Sequence, residues 1–140
     1  MKKSIIMFAL IMAGIAALFF VFMPHYTYKA ETVDDMRRVI ERFGWKLSDD
    51  APQSCALTLP NPLTDVFLNY NELLKKEGLD LLPYAGRKVM RYTFTVTNHK
   101  KGGNVYANLL LCDGKIIAAD IMSPAANGFM HEINKKNYVK

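Results

Sequence analysis

The amino end of the chain is continuously apolar, with 20 uncharged residues over positions 4–23. A helix of that length, at about 1.5 Å per residue, spans about 30 Å, the thickness of the hydrocarbon core of a bilayer. Lys2 and Lys3 precede the stretch, and basic residues favour the cytoplasmic side. The pattern therefore predicts a single-pass anchor over residues 1–23 in the cell membrane, with the rest of the chain outside the cytoplasm.

A cleaved signal peptide is the alternative interpretation of this segment. Signal peptides carry an apolar core of roughly 7–15 residues that ends at a small-x-small cleavage site. Gly14-Ile15-Ala16 has that form, but apolar residues 18–22 follow it, where a polar mature end is expected. Length and flanking residues favour a retained anchor, which a tether over residues 24–30 joins to a folded domain over residues 31–140.

Helical periodicity begins with the predicted domain. A helix is expected over about residues 32–43, because apolar residues recur at helical spacing and Thr32 is a good N-cap. A second helix is expected from Asn61-Pro62 to about residue 77, with the proline at its first position. Between the helices, residues 53–59 alternate as a strand does.

The carboxyl half alternates between apolar and polar positions with the period of a strand. Three further strands are expected, over residues 87–98, 104–112 and 115–122. The sequence therefore predicts an α+β domain, in which two helices pack on one face of an antiparallel sheet of about four strands. The number of large apolar residues is sufficient for one core, which needs no metal to fold.

The hairpin between the last two strands has a strong turn signal. Asp113-Gly114 favours a two-residue type I′ turn. Such a turn places Leu111 opposite Ile116. Continued without interruption, the same register places Ala107 opposite Asp120.

The preceding loop poses a problem of register. A plain loop over residues 99–103 puts the apolar faces of its two flanking strands out of step by one residue. Either both faces of the sheet are covered, or a glycine bulge at Gly102-Gly103 shifts the register. Glycine tolerates the backbone angles of a bulge, which favours the second interpretation.

Composition narrows the class of protein. Of the 140 residues, 51% are hydrophobic and 22% are charged, which excludes a disordered chain and a disulfide-dense miniprotein. The formal net charge is +5, to which Lys2 and Lys3 contribute from outside the folded domain. The remaining basic excess is too small to indicate a nucleic-acid partner. No phosphate-binding or dinucleotide motif occurs, so no cofactor is predicted.

The two cysteines, Cys55 and Cys112, both lie on predicted strands. An even number of cysteines outside the cytoplasm permits a disulfide, provided that the two strands are neighbours. The alternative is two buried free thiols that act as small hydrophobic side chains. Their separation in sequence excludes a CxxC redox pair.

The histidines His25, His99 and His131 do not lie at metal-ligand spacing, so no zinc site is predicted. Asp120, Ser123 and His131 are the residue types of a hydrolase triad, although the Gly-x-Ser-x-Gly elbow is missing. The ordinary explanation is a set of surface residues at a strand end. A small envelope hydrolase using Asp120 and His131 is therefore an alternative function only.

Asp120 interrupts an apolar strand, where a carboxylate is costly unless it is paired. It is either a ligand-contacting acid or a structural acid, bonded to backbone amides or to an arginine such as Arg91. Arg91 and Tyr92 belong to a basic, aromatic strand suited to anionic lipid head groups or wall polymers, or they form a solvated strand face. The candidate ligand-binding residues are Asp120, Arg91 and Tyr92.

Several short motifs occur in a familiar order over roughly residues 33–131. They include Phe43-Gly44-Trp45-Lys46-Leu47, Tyr84-Ala85-Gly86-Arg87-Lys88-Val89, Val105-Tyr106-Ala107-Asn108-Leu109-Leu110 and Ala119-Asp120-Ile121. With them the chain resembles the bacterial family known as domain of unknown function 4830. The resemblance implies an amino-terminal membrane segment. It implies no known activity, so it assigns no catalytic residue.

These features favour a non-enzymatic, membrane-anchored binding domain at the bacterial cell envelope. Its expected partners are the membrane itself and an envelope protein or an anionic wall or lipid component. Besides the hydrolase, a secreted inhibitor-like module after signal cleavage is the remaining alternative.

Overall fold

A computed structural model describes residues 28–140 of the chain. The anchor predicted over residues 1–23 and most of the tether lie outside the described residues. Neither the length nor the hydropathy of any helix within residues 28–140 meets the requirement for a membrane span. The described residues form two α-helices and an antiparallel sheet of five strands, which confirms the α+β class.

The elements follow each other in a simple order. They are α1 (Val33–Arg42), β1 (Gln53–Thr58), α2 (Asp65–Lys75), β2 (Lys88–Val96), β3 (Val105–Cys112), β4 (Lys115–Ser123) and β5 (Phe129–Glu132). The strands lie in the sheet in their sequence order, and each pairs antiparallel with the next. The prediction of about four strands omits β5, whose four residues are too few for alternation to be recognised.

Helix α1 begins at the predicted residue because Thr32 caps it. The Thr32 hydroxyl accepts a hydrogen bond from the Asp35 amide at 3.1 Å, and the Asp35 carboxylate accepts one from the Thr32 amide at 3.0 Å. This reciprocal capping box satisfies two amides that the helix leaves unpaired. After the helix, Gly44 has a φ of 91°, in the left-handed region that favours glycine.

Helix α2 begins later than predicted. Its N-cap is Thr64, so Pro62 precedes the helix and does not occupy its first position. Leu59 and Leu63 on either side of the proline are both buried. The segment between them therefore lies against the core as a loop, and the helix begins only at Asp65.

The two helices lie on opposite faces of the sheet, and the prediction that they share one face is wrong. One face, the core face, contains Phe94, and the Arg37 guanidinium of α1 lies 5.6 Å from the centre of that ring. The other face, the groove face, contains Asp120, to which Tyr70 of α2 donates a hydrogen bond. Strand β3 explains the difference, because consecutive residues of both faces are buried there and each face needs a cover.

The loop between β2 and β3 combines both of the expected solutions to the register problem. Val96 pairs with Val105 and Tyr92 with Leu109, which is the register shifted by one residue. Gly102 and Gly103 both have positive φ, as the glycine-dependent loop requires. The apolar faces of the two strands therefore coincide, and in addition the opposite face is covered by α2.

The β3–β4 hairpin has the predicted turn but not the predicted pairing beyond it. Asp113 and Gly114 both have positive φ, and Leu111 lies opposite Ile116. The register then shifts between Leu110 and Leu111, so that Asp120 lies opposite Asn108 rather than Ala107. A bulge adds one residue to β4, so each later side chain lies on the face of the sheet opposite to the one predicted. The Asp120 carboxylate thereby avoids the core face and meets polar partners on the groove face.

Candidate functional site

A groove with a volume of about 770 Å³ lies between α2 and the groove face of the sheet. Its apolar walls include Leu57, Phe67, Leu73, Leu110, Met122 and Met130. Its polar lining includes Tyr70, Arg91, Thr93, Tyr106, Asn108 and Asp120. A concave, mostly apolar site of this volume with a few convergent polar groups is typical of small-molecule binding sites.

Four of these polar side chains form a continuous hydrogen-bonded chain, here called the polar floor. The Tyr70 hydroxyl donates to Asp120 Oδ2 at 2.6 Å, and Asn108 Nδ2 donates to Asp120 Oδ1 at 3.0 Å. The Thr93 hydroxyl donates in turn to Asn108 Oδ1 at 2.8 Å. Elements far apart in sequence supply the four residues, since α2, β2, β3 and β4 contribute one each.

Asp120 is only 2% exposed, and burial raises the pKa of its carboxyl above the ordinary value. The hydrogen bonds from Tyr70 and Asn108 and the positive charge of Arg91 act against that rise. Burial also raises the pKa of the Tyr70 hydroxyl well above its usual range, and the negative charge of Asp120 adds to the effect. Both carboxylate oxygens are engaged with donors, which suits Asp120 to organising the groove better than to acid–base chemistry.

The structure brings Arg91 and Asp120 into one groove but separates Tyr92 from them. Arg91 is exposed and lines the groove, whereas Tyr92 lies on the core face opposite Leu109. The expected pairing partner of Asp120 was a backbone amide or Arg91, and its observed donors are Tyr70 and Asn108 instead. Among the described residues, none forms a hydrogen bond or an ion pair with the Arg91 guanidinium.

Asp120 and His131 do not form a catalytic pair. In the β4–β5 ladder Asp120 lies opposite Glu132, and His131 lies opposite Ile121. Side chains of successive residues point to opposite faces of a sheet, so Asp120 faces the groove and His131 faces the core. In residues 28–140, no three histidine, cysteine or acidic side chains are grouped so that they could hold a metal ion.

The two cysteines are free thiols, with Cys55 exposed and Cys112 buried. Cys55 lies on β1 and Cys112 on β3, and β2 pairs with both of these strands. Two strand spacings amount to about 9.6 Å, which is beyond the reach of a disulfide. The condition for a bond, that the two strands be neighbours, is therefore not met.

A pair of buried histidines forms a second site, on the core face, that sequence reasoning did not identify. The Nε2 atoms of His99 and His131 are 3.1 Å apart. His99 Nδ1 accepts from the Lys101 amide, and His131 Nδ1 lies 2.8 Å from the Glu132 carbonyl, to which it must donate. These outer partners leave His99 Nε2 as the donor and His131 Nε2 as the acceptor, with both rings neutral.

Aromatic rings enclose the histidine pair, and with it they form the histidine cluster. Trp45, Phe129 and Tyr138 each stack on or tilt against the two imidazoles, with ring centres 4.7–5.9 Å apart. Burial lowers the pKa of both histidines. The positive charge of Lys101 lowers both further, and the negative charge of Glu132 acts in the opposite direction on His131. Because 32 positions separate the two histidines, no local sequence pattern indicates the cluster.

Two further carboxylates lie near the carboxyl end of α2. Burial raises the pKa of Glu77 to about 7, against the hydrogen bond that it accepts from the Asn134 amide at 2.9 Å. Burial also acts to raise the pKa of Glu132, but hydrogen bonds and ion pairs with Lys135 and Lys76 prevail and lower it to about 2. Of these two carboxyl groups, Glu77 therefore titrates nearer to neutral pH.

Comparison with known proteins gives one result. A family model described as Domain of unknown function (DUF4830) matches residues 39–121. The match extends from α1 into β4 and includes Arg91 and the whole polar floor. No curated protein and no solved structure matches the chain.

Proposed function

We propose that this chain, which belongs to the DUF4830 family of domains of unknown function, is a non-enzymatic binding module that holds a small ligand in the groove beneath α2. The observation that carries the proposal is the groove itself, with its apolar walls and its polar floor. The floor is organised before any ligand arrives, because its side chains hydrogen-bond one another. Such preorganisation lowers the entropic cost of binding.

The proposed place of action is the outer side of the bacterial cell membrane, with residues 1–23 as a retained anchor. The uncharged stretch over residues 4–23 and the two preceding lysines support this orientation. The tether meets the domain at the β3–β4 turn, where the Ala30 amide donates to the Gly114 carbonyl at 3.0 Å. Release by signal cleavage remains the alternative topology.

Protease treatment of whole cells tests the location. We expect the domain to be digested on intact cells while a cytosolic marker protein survives. The intact mass of the mature protein distinguishes a retained anchor from a cleaved signal peptide. Survival of the domain until the cells are lysed would refute the proposed orientation.

Methionine methyl groups offer a direct test of the groove. The full chain, labelled with ¹³C at its methionine methyls and held in phosphatidylcholine nanodiscs, is titrated with a library of small organic compounds. Met122 and Met130 line the groove, whereas Met36 is buried in α1 away from it and serves as an internal control. We expect some compounds to shift the Met122 and Met130 signals alone. If no compound does so, the groove is not a binding site.

A further inference from the structure

We infer that the groove binds a single-chain amphiphile, whose anionic head group pairs with Arg91 and whose hydrocarbon chain lies along the apolar walls. This inference rests on the proposed function and specifies the class of its ligand. The head group is a carboxylate or a phosphate, which an arginine side chain recognises through the same forked pair of donors.

The charge of the groove selects an anion. Among the described residues that line it, Arg91 alone is positive and Asp120 alone is negative. Asp120 is buried and its two oxygens already accept hydrogen bonds, whereas Arg91 is exposed and has no hydrogen-bond or ion-pair partner within residues 28–140. The charge that an incoming ligand can reach is therefore the positive one.

The walls of the groove select an apolar chain. Val66 of α2 and Met130 of β5 both line the groove, and they are 76% and 48% exposed. Large apolar side chains exposed together around a concave surface mark an interaction site. They leave apolar area for a ligand to cover, and each part of a hydrocarbon chain that covers it gains hydrophobic stabilisation.

The polar floor disfavours a peptide as the occupant. A peptide brings an amide donor and a carbonyl acceptor with every residue, and each needs a partner when it is buried. The four floor side chains already bond one another, which leaves only Gln53, Asn69, Arg91 and Tyr106 in the described polar lining to pair with a peptide. A hydrocarbon chain needs no such partners, so the observations favour an amphiphile.

The test uses four probes on the full chain in phosphatidylcholine nanodiscs, each at a concentration at which it does not aggregate. They are dodecanoate, dodecyl phosphate, dodecanol and a free hexapeptide of leucine and alanine. Binding is followed by the methyl signals of Met122 and Met130. Partition of each probe into the disc is the same for every variant, so differences between variants report on the groove.

Arg91→Gln removes the proposed partner of the head group, and Arg87→Gln is the matched control. Arg87 is an exposed arginine that pairs with Asp113 at the β3–β4 turn, outside the groove. We expect Arg91→Gln to weaken the binding of dodecanoate and of dodecyl phosphate about tenfold, which is the effect of losing one charge-assisted interaction. The affinity for dodecanol should change less than twofold. Arg87→Gln is expected to change the affinity for none of these three probes by more than twofold.

Met130→Gln tests the apolar wall separately, with the methyl signal of Met122 as the reporter of binding. Its exposure makes the substitution compatible with folding. We expect dodecanoate and dodecanol to bind about fivefold more weakly to this variant, because both lose the same apolar contact. Equal binding of dodecanoate to Arg91→Gln and to the unchanged chain would overturn the proposed head-group contact.

The outcomes separate this inference from the proposed function. Library compounds that shift Met122 and Met130, together with amphiphiles that do not, would overturn the ligand class and leave the binding function in place. Tighter binding of the hexapeptide than of dodecanoate would also overturn the class, in favour of a protein partner. If neither the library nor the four probes reach the groove, both proposals fail.

Discussion

At the scale of single residues, the groove depends on how a buried carboxylate is satisfied. Asp120 lies inside a sheet at 2% exposure, where an unpaired charge would strongly destabilise the fold. Two hydrogen bonds stabilise the buried carboxylate: Tyr70 donates to one of its oxygens and Asn108 donates to the other. The Tyr70 hydroxyl is the more closely placed of the two donors, and it also connects α2 to the sheet.

Tyr70→Phe removes that donor and leaves the ring. We expect the free energy of unfolding at pH 7 to fall by about 1.5–3 kcal/mol, the usual contribution of a hydrogen bond to a buried charge. Urea unfolding followed by the fluorescence of Trp45, the single tryptophan, measures the loss. Tyr106→Phe, at a groove tyrosine without a hydroxyl contact to Asp120, is the control and is expected to stay within about 0.5 kcal/mol. Equal losses in the two variants would contradict the role given to Tyr70.

Glu77 makes the stability of the domain depend on pH. Its pKa in the folded state is about 7, above its ordinary value of 4.5, so the folded chain binds its proton more tightly than the unfolded chain does. Protonation therefore favours folding, and Glu77 adds stability as the pH falls from about 7 to about 4.5.

Glu77→Gln should abolish this contribution. We expect the stability of the unchanged chain, relative to the variant, to rise on acidification from pH 7.5 to pH 4.5. The rise is about 1–2 kcal/mol, because partial exposure of Glu77 to solvent weakens the effect. Urea unfolding of both proteins across that range gives the difference directly. Parallel stability curves for the two proteins would show that Glu77 does not titrate there.

At the scale of elements, the two helices differ in how their first turns are held. Thr32 accepts a hydrogen bond from the Asp35 amide and caps α1, whereas the Thr64 side chain makes no capping bond at the start of α2. We expect Thr32→Ala to lower the free energy of unfolding by about 1 kcal/mol, and Thr64→Ala to lower it by only a few tenths. Urea unfolding of the two alanine variants, which serve as mutual controls, measures the contrast. A loss for Thr32→Ala no larger than that for Thr64→Ala would show that the capping bond adds no measurable stability.

Elements whose signals are local could be predicted, and those that depend on distant contacts could not. The cap at Thr32, the turn at Asp113-Gly114 and the alternation in β2 are determined by neighbouring residues, and the structure confirms them. The start of α2 and the bulge in β4 depend on packing against other elements. The bulge matters most, because it moves Asp120 to the face that forms the groove.

At the scale of the whole molecule, the candidate site could be predicted only in part. Asp120 and Arg91 are recognisable as unusual strand residues, and the structure places both in the groove. Tyr70 is 50 positions from Asp120, and no local pattern connects the two residues. The histidine cluster is equally non-local, because it joins Trp45 after α1, the loop after β2, strand β5 and the carboxyl-terminal segment.

The carboxyl-terminal segment covers the histidine cluster and should therefore control how it titrates. Tyr138 stacks on both imidazoles, the Val139 backbone pairs with that of His99, and the Lys140 amide donates to the Asn98 carbonyl. Burial lowers the pKa of both histidines below 6.5 in the folded state, so the unfolded chain takes up protons first and stability is lost as the pH falls below about 6.5.

Removal of residues 138–140 exposes the histidine pair to water and should return the pKa of both histidines toward 6.5. An NMR titration that follows their ring signals measures this change. The loss of stability below pH 6.5 should then become shallower, although the shortened chain is less stable at pH 7.5 because it lacks the packing of Tyr138. Lys140→Gln is the control, since the charge of Lys140 also lowers the pKa of His99. Burial is the larger cause, so this control should reproduce only a small part of the change. If it reproduces the whole change, charge rather than cover by the carboxyl-terminal segment sets the titration of the cluster.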